Sequence, residues 1–333
     1  MISDINYSNM REMLKDCLSE VQERATKSSL PGISTGFKPI DDLTGGFENG
    51  KVYVIGGRPC MGKEEFVLSM IIDAVMESRL PVLMFSTNHT KQDYIQRLLA
   101  IQCDIPTLHL YQGFLEPHEW ERLDKEVDAW IDAPLFIHDS LDLPLSELTE
   151  TARNCIREKE TKIIFIDCLQ LIDFSIEYEN SSERIAKVMC SLKQLASLFD
   201  IPIIVGSILG RGVEYREGIE GKQPQLTDLA NSSYIEGLAD VIMMVHRPEY
   251  YHIYQDEHGR DLHGKMEIIV KKNNLKPLGD IILDYHQNTG FICLRKNTIK
   301  SASKPISLKE LSTDNKAVKN LIETFGLEEE LPF

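Results

Sequence analysis

The chain has 333 residues, 42% of them hydrophobic, which suits one large domain or two modest ones with a substantial core. Its formal net charge of −16 excludes a surface that attracts DNA as a whole, so any nucleic-acid contact would need a local basic patch or another subunit. No apolar run reaches 18 residues, the N-terminus lacks a basic start ahead of an apolar stretch, and the seven cysteines include no Cys-x-x-Cys pair; this predicts no membrane span, no secretory signal, no zinc site or disulfide framework, and a cytoplasmic protein.

In chain order, residues 9–26 predict an amphipathic helix, with Met10, Met13, Leu14, Leu18 and Val21 at 3–4 spacing. Packing on its own domain and docking on a neighbouring subunit are both open to it. "SSLPG" (28–32) breaks the chain as a linker. Residues 51–57 then predict a short apolar strand, and 64–78 a helix whose inner face is Phe66, Val67, Met70, Ile71, Ala74 and Val75. Strand 81–86, helix 91–103, a strand-like stretch 133–139, helix 145–160, strand 162–172, helix 181–199 and strand 201–209 follow. Strands 240–247, 266–272 and 279–285 close the series without long helices between them, and predict an antiparallel extension at one edge. Alternation of helices with wholly apolar strands implies an α/β fold with a mostly parallel twisted sheet and helices on both faces. From about residue 298 the sequence turns polar and acidic, which predicts a partly disordered tail. The expected division is therefore 1–29 linker-type helix, 30–297 main domain and 298–333 tail.

The loop "GGRPCMGKEE" (56–65) lies directly after a strand and before a helix. Gly57-x-x-x-x-Gly62-Lys63 has the spacing of a phosphate loop, in which backbone N–H groups and the positive helix end face phosphate oxygens. Gly57, Arg58, Gly62, Lys63 and Glu64 are the candidate nucleotide-binding residues, with Lys63 on the β- and γ-phosphates. Asp167 ends the apolar strand "KIIFID", where an acidic residue orients magnesium through water. Such loops normally follow Gly-Lys with a Ser or Thr that binds the metal; here Glu64 follows.

Together "ISTGFKPIDDLTGGF", "GGRPCMGK", "FIDCLQLI", "SLKQLASLFDIPIIVGSILGRGVEYREG", "QPQLTDL" and "HRPEYY" resemble the C-terminal RecA-like P-loop domain of the bacterial replicative DNA helicase DnaB, from about residue 30 to about 297. The resemblance implies a RecA-like P-loop NTPase fold, ATP and Mg²⁺ as cofactors, single-stranded DNA as the track, and a ring or filament of copies or of DnaB-type subunits. It makes residues 9–26 the linker helix that docks on the adjacent subunit, in a chain that starts at that linker without the family's primase-meeting N-terminal domain. It identifies Lys63, Asp167 and Lys272 as retained catalytic positions, Asp167 as the metal carboxylate, and Arg58 and Arg211 as matching family arginines. Lys272 would reach toward a neighbour's γ-phosphate.

Four catalytic positions depart from the family. Glu64 replaces the metal-binding Thr, Asn88 the water-activating Glu, Ile208 a Gln that senses the γ-phosphate, and Asn274 the arginine finger. Ala230 and Cys168 replace an Arg and a Tyr. A carboxylate about 4 Å from a phosphate charge is repelled by roughly 4 kcal/mol at an effective dielectric of 20, which predicts weak or absent nucleotide binding. Glu64 is expected to fold back onto Lys63 or Arg58 and occupy the pocket, although direct ligation of magnesium would soften the loss. Loss of the base and of the finger predicts little hydrolysis, unless Glu65, Asp93 or Lys276 substitutes.

The family's channel loops correspond to 175–183 and 211–223. Arg211, Arg216 and Lys222 are the candidate DNA contacts, but neighbouring glutamates predict weak binding. Lys271, Lys272 and Lys276 form the one basic cluster. The tail "FGLEEELPF" resembles the acidic tip of bacterial single-stranded DNA-binding proteins, so Glu328, Glu329, Glu330 and Phe333 are expected to dock on a basic pocket of a replication or repair protein. The reading that follows is a catalytically crippled, regulatory paralogue. An active helicase with an altered site and an adaptor that no longer binds nucleotide are the alternatives.

Overall fold

The computed structural model describes residues 9–26, 30–173, 180–230, 232–274 and 276–294. Leu30–Asn297 forms one compact unit, and the flanking segments are grouped apart from it. Of the flanks, helix α1 (Met10–Thr26) is described, with Met10, Met13, Leu14 and Val21 exposed.

The compact unit runs α2 (Lys38–Thr44), β1 (Val52–Gly57), α3 (Lys63–Ile72), β2 (Val82–Ser86), α4 (Lys91–Cys103), α5 (Thr107–Gln112), α6 (Pro117–Ile131), β3 (Leu135–Asp139), α7 (Leu145–Lys159), β4 (Ile163–Ile166), α8 (Ser181–Phe199), β5 (Ile203–Ile208), α9 (Gly212–Tyr215), α10 (Ile219–Lys222), α11 (Ser232–Leu238), β6 (Val241–His246), β7 (Lys265–Asn273), β8 (Gly279–Tyr285) and β9 (Ile292–Leu294). Among the described residues the strands make one nine-stranded sheet in the order β3-β2-β4-β5-β1-β6-β7-β8-β9. β3 through β6 pair in parallel. β7, β8 and β9 add in antiparallel fashion. The α/β expectation holds, with one correction: residues 240–247 belong to the parallel block, because β6 pairs with central β1, and the antiparallel extension is β7–β9.

Side chains alternate across each strand, so the sheet feeds two cores. Tyr53, Ile55, Ile163 and Phe165 face α2, α3 and α4, where they meet Ile40, Phe66, Met70 and Leu98. Val52, Val54, Ile164 and Ile166 face α7 and α8, where they meet Leu148, Ile185, Val188 and Leu192. Each fully buried aliphatic or aromatic side chain contributes roughly 1.5–3 kcal/mol, and coverage of both faces is why these strands read as unbroken apolar runs.

Two further expectations change. The strand read over 162–172 ends at Ile166; Leu169–Leu171 is a single 3-10 turn, and Leu169 and Ile172 are buried in the α7–α8 core as turn residues. Between 104 and 132, where no element was expected, stand α5 and α6, the latter opened by Pro117 in its first turn and by a Glu116–Glu119 capping box. In the parallel block all strands point the same way, so the C-terminal ends of β1, β2, β4 and β5 open onto one edge, the position at which α/β sheets bind ligands.

Candidate functional site

The loop after β1 has the conformation that its glycines predict. Gly62 is left-handed at φ 82° and caps α3, and a Cβ there would lie 2.4 Å from Met266 Cε. Lys63 opens α3 with only 9% of its surface exposed. Its Nζ lies 3.5 Å from the Asp167 carbonyl oxygen and 3.9 Å from Asp167 Oδ1. Gly206 on β5 makes this approach possible, since a Cβ would sit 2.0 Å from the Asp167 carbonyl oxygen. Lys63 and Asp167, far apart in sequence, thus meet as expected. Arg58 leaves the cradle: Nε donates to Glu214 Oε1 at 2.9 Å and Nη1 to the Leu209 carbonyl at 2.8 Å. Arg247, 5% exposed, fastens the loop from the other side by donating to the Cys60 carbonyl at 3.1 Å, with its guanidinium stacked 4.6 Å from the Tyr285 ring centroid.

Glu64 does not fold onto Lys63 or Arg58, which corrects the expected arrangement. Its Oε2 accepts from Arg97 of α4 and lies 3.2 Å from His89 Nε2. Arg97 also stands 3.8 Å from Glu65 Oε1. The physical reason is competition. Arg58 is held by Glu214 and Lys63 by the Asp167 side of the cradle, whereas Arg97 presents its guanidinium fork at the first turn of α3. Burial pushes the Glu64 carboxyl up, but the His89 hydrogen bond and the charges of Arg97 and Lys63 outweigh it and hold the group at about 2. Glu64 is therefore a carboxylate, and since a carboxylate only accepts, His89 carries its proton on Nε2. The hydrogen bond to Glu64 raises the His89 pKa against burial and Arg97.

Asp167 has a matching partner. Its Oδ2 accepts from the Tyr94 hydroxyl, again from α4. Burial raises the Asp167 pKa despite Lys63 and Tyr94. Tyr94 and Arg97 are one turn apart on the same helix, and α4 is fixed at its start by a Thr90–Asp93 capping box directly after His89. Neither Tyr94, His89 nor Arg97 was singled out from the sequence; a Tyr and an Arg on the inward face of a predicted helix were the available signal.

The remaining candidates divide. Asn88 is exposed two residues beyond β2, its amide 3.2 Å from His89 Nε2. Ile208 gives its backbone N–H to Gln170 Oε1 at 3.0 Å, while Gln170 Nε2 donates to Ser207 Oγ at 2.8 Å. Gln170 is thus a polar side chain at the end of β5 that sequence reading missed. Cys168 is buried, 3.6 Å from that same Gln170 oxygen, and Ala230 is half-buried after Leu229. Lys272 and Asn274 are not brought to the loop. They lie at the opposite end of the sheet, where Lys272 Nζ donates to the Glu236 and Ala239 carbonyls at 2.5 Å and Asn274 Nδ2 to Asp240 Oδ1 at 3.1 Å. Of the expected substitutes, Asp93 is used in the α4 cap and Lys276 donates to the Thr44 carbonyl at 2.5 Å and to Glu48. Glu65 stays near Arg97, with its pKa raised by burial.

Two of the three candidate DNA contacts are internally engaged. Arg216 donates to Asp228 Oδ2 at 2.6 Å and to the Gln223 carbonyl at 3.1 Å; Lys222 donates to the Glu214 carbonyl at 2.8 Å and lies 5.3 Å from the Tyr251 ring centroid. Arg211 is exposed. Residues 174–179 of the other expected channel loop, and the tail with Glu328, Glu329, Glu330 and Phe333, lie outside the described residues. Among the described residues no helix is long and apolar enough to cross a membrane, and no group of three or more His, Cys, Asp or Glu side chains is placed to hold a metal ion.

Comparison with known proteins adds the following. The family described as the DnaB-like helicase C terminal domain matches residues 32–292. The replicative DNA helicase DnaB of Treponema pallidum is 32% identical over 290 residues, which covers 86% of this chain and 62% of that protein. A probable replicative DNA helicase of Trieres chinensis is 32% identical over 279 residues, covering 83% of this chain and 60% of that protein. The chain therefore spans about three fifths of the length of these curated relatives. In three dimensions it is similar to a solved ATPase domain, with a TM-score of 0.78 at 23% identity over 87% of this chain and 100% of that one. It is also similar to a DnaB-like replicative helicase solved for its interactions with primase, with a TM-score of 0.75 at 23% identity over 88% of this chain and 68% of that one. At that identity the structural likeness speaks to the fold.

Proposed function

The chain belongs to the family of DnaB-like helicase C-terminal domains, and from that premise we propose that it is a nucleotide-site domain of DNA replication or repair that has lost most ATP hydrolysis and works as a binding or regulatory member of the family. The observation that carries this reading is the commitment of Glu64 to Arg97 and His89 at the position where a metal-binding hydroxyl is normally found. Asn88 adds to it, because an amide does not take a proton from water, a service worth about 10²–10⁴-fold. Asn274 would forgo the charge neutralisation of an arginine finger, worth about 10³–10⁵-fold. The two losses act on one transition state and do not simply multiply.

ATP and Mg²⁺ are the groups that the family implies. The buried Lys63, the loop amides and the N-terminus of α3 suit a phosphate. The repulsion expected of Glu64 is largely offset by Arg97 and His89, so the reading is of binding without turnover. Magnesium fits the residues present poorly: residue 64 offers no hydroxyl, and the Arg97 guanidinium that holds Glu64 Oε2 puts a positive charge where a dication would have to approach.

We further read residues 30–297 as the RecA-like domain, 1–29 as a linker helix and 298–333 as an acidic tail, with a ring or filament of copies or of DnaB-type subunits as the assembly. Single-stranded DNA would bind weakly at 211–223, since Arg216 and Lys222 are engaged. Phosphate release from ATP, with and without single-stranded DNA, tests the central claim. The native chain should stay near background, and the combined change E64T, N88E and N274R should raise turnover by about tenfold or more. Brisk DNA-stimulated release by the native chain would refute the reading.

A further inference from the structure

We infer that the phosphate cradle takes its nucleotide without a divalent cation, Glu64 being answered by Arg97 and His89, and Asp167 by Lys63 and the Tyr94 hydroxyl, instead of by a metal. This rests on the reading of the loop as a nucleotide site and specifies how that site holds its ligand: through the polyphosphate itself, with nothing gained from a bound magnesium ion.

The argument is one of donors and acceptors. A magnesium ion at a phosphate loop needs oxygen ligands in near-octahedral array and ties phosphate oxygens to the protein through a small hydroxyl and through water on a carboxylate. Here the side chain after Lys63 is a carboxylate whose Oε2 receives Arg97 and lies 3.2 Å from His89. The second carboxylate, Asp167, receives the Tyr94 hydroxyl on Oδ2 and faces Lys63 Nζ at 3.9 Å from Oδ1. Both are enclosed: Asp167 is buried, and only about a quarter of the Glu64 side chain is exposed. A dication bound at Glu64 Oε2 or Asp167 Oδ2 would displace the Arg97 or Tyr94 contact, and one bound through the other oxygen of Glu64 would sit beside the partly buried Arg97 guanidinium, which like charge opposes.

The anion side of the cradle is intact. Lys63 is buried at the start of the ten-residue helix α3 and, among the described residues, has no closer acceptor than the 3.5 Å Asp167 carbonyl, a long contact that a phosphate oxygen would better. Tyr94 and Arg97 share one helix face, and Thr90–Asp93 fixes where that helix begins, so the two donors arrive as a preformed pair.

The test is binding, read apart from turnover. ATP carrying a ribose fluorophore is titrated into the full chain, once in excess EDTA and once in excess magnesium, with circular dichroism confirming the fold of each variant. The native chain should show dissociation constants within about twofold of each other in the two buffers. E64T, or E64S where E64T does not fold, should bind about tenfold or more tightly with magnesium. Native binding that tightens tenfold with magnesium overturns the inference, as does the absence of native binding in EDTA. A folded E64T protein as indifferent to magnesium as the native chain overturns it too, by removing the role given to Glu64. Turnover on the same samples keeps the two claims apart. Magnesium-driven tightening with background turnover sinks only this inference, and metal-free binding with brisk turnover sinks only the loss of hydrolysis.

Discussion

Removing Arg97 should turn Glu64 from a neutralised neighbour into an opponent of the nucleotide. In R97A the Glu64 carboxylate loses its guanidinium partner, and it sits on the first turn of α3 directly after the phosphate lysine. A like charge about 4 Å from a phosphate costs roughly 4 kcal/mol at an effective dielectric of 20. With a quarter of the side chain exposed and ordinary salt present, about half of that is a fair allowance, or about 2 kcal/mol. At about 1.4 kcal/mol per decade, R97A should bind ATP about 30-fold more weakly in EDTA. E64Q alone should tighten binding, because it frees the Arg97 charge, and R97A/E64Q should return to about the native value, because the two side chains are in contact and their effects should not add. Fluorescence titration of the four proteins closes the cycle. An R97A protein with native affinity would refute the reasoning. A double variant as weak as R97A would refute it differently, by showing that Arg97 holds the phosphates itself.

Three further outcomes follow from the same geometry. His89 should titrate above its ordinary value of 6.5 in the native chain and fall toward it in E64Q, as read by NMR of the imidazole; its stabilising contribution is complete below 6.5 and is lost as pH rises through the folded value, so a native midpoint at or below 6.5 contradicts the Glu64 contact. Glu267 is held at about 7, chiefly by burial and then by Asp280, against an ordinary value of 4.5. The unfolded chain ionises first, so Glu267 costs stability increasingly between 4.5 and 7, and E267Q should stabilise the protein at about pH 8 by up to about 3 kcal/mol while leaving it unchanged at about pH 4 by calorimetry. G206A should destabilise by about 1–3 kcal/mol in denaturant melts, because its Cβ would start 2.0 Å from the Asp167 carbonyl oxygen; native stability in that variant would mean that β4 and β5 can part without loss.

The phosphate loop was legible because three local signals coincide: an apolar strand, glycines at fixed spacing, and a helix face beginning at residue 64. Asp167 was legible for a similar reason, as the first charge after an apolar run. The partners of Glu64 were not. His89 and Arg97 are 25 and 33 residues away in sequence, on other elements, and nothing in a string of letters says which of several cations a glutamate will reach. Arg58, the nearer choice, was already taken by Glu214, which is 156 residues distant. Element errors have local causes. Leu169 and Ile172 continue the apolar run of β4, and periodicity does not separate a buried turn from a buried strand. α6 was missed although Pro117 opens it and Trp120, Leu123, Val127 and Trp130 recur at 3–4 spacing, because the charged residues between them masked the stripe. β6 looked like part of the edge extension because only short helices precede it; its pairing with β1 is set by long-range packing.

The segment from Asn88 to Arg97 links the two halves of the functional reading. It spans Asn88, where the resemblance expects a water-activating residue, the imidazole and guanidinium on Glu64, the cap that fixes α4, and the hydroxyl on Asp167. If the two carboxylates were free, a dication would be the natural way to reconcile them with a triphosphate, and the loss of Asn88's acidic counterpart would leave a site that still assembles the metal complex. With Glu64 Oε2 held by Arg97 and His89 and Asp167 Oδ2 by Tyr94, the inference is that phosphate meets Lys63, the loop amides and the α3 terminus without a metal between. On the proposed reading those groups lower a dissociation constant, while the attacking water at residue 88 goes without a base. On the same reading, metal-free binding follows from Glu64 and its partners and lost hydrolysis from Asn88 and Asn274 as well, so each has its own measurement.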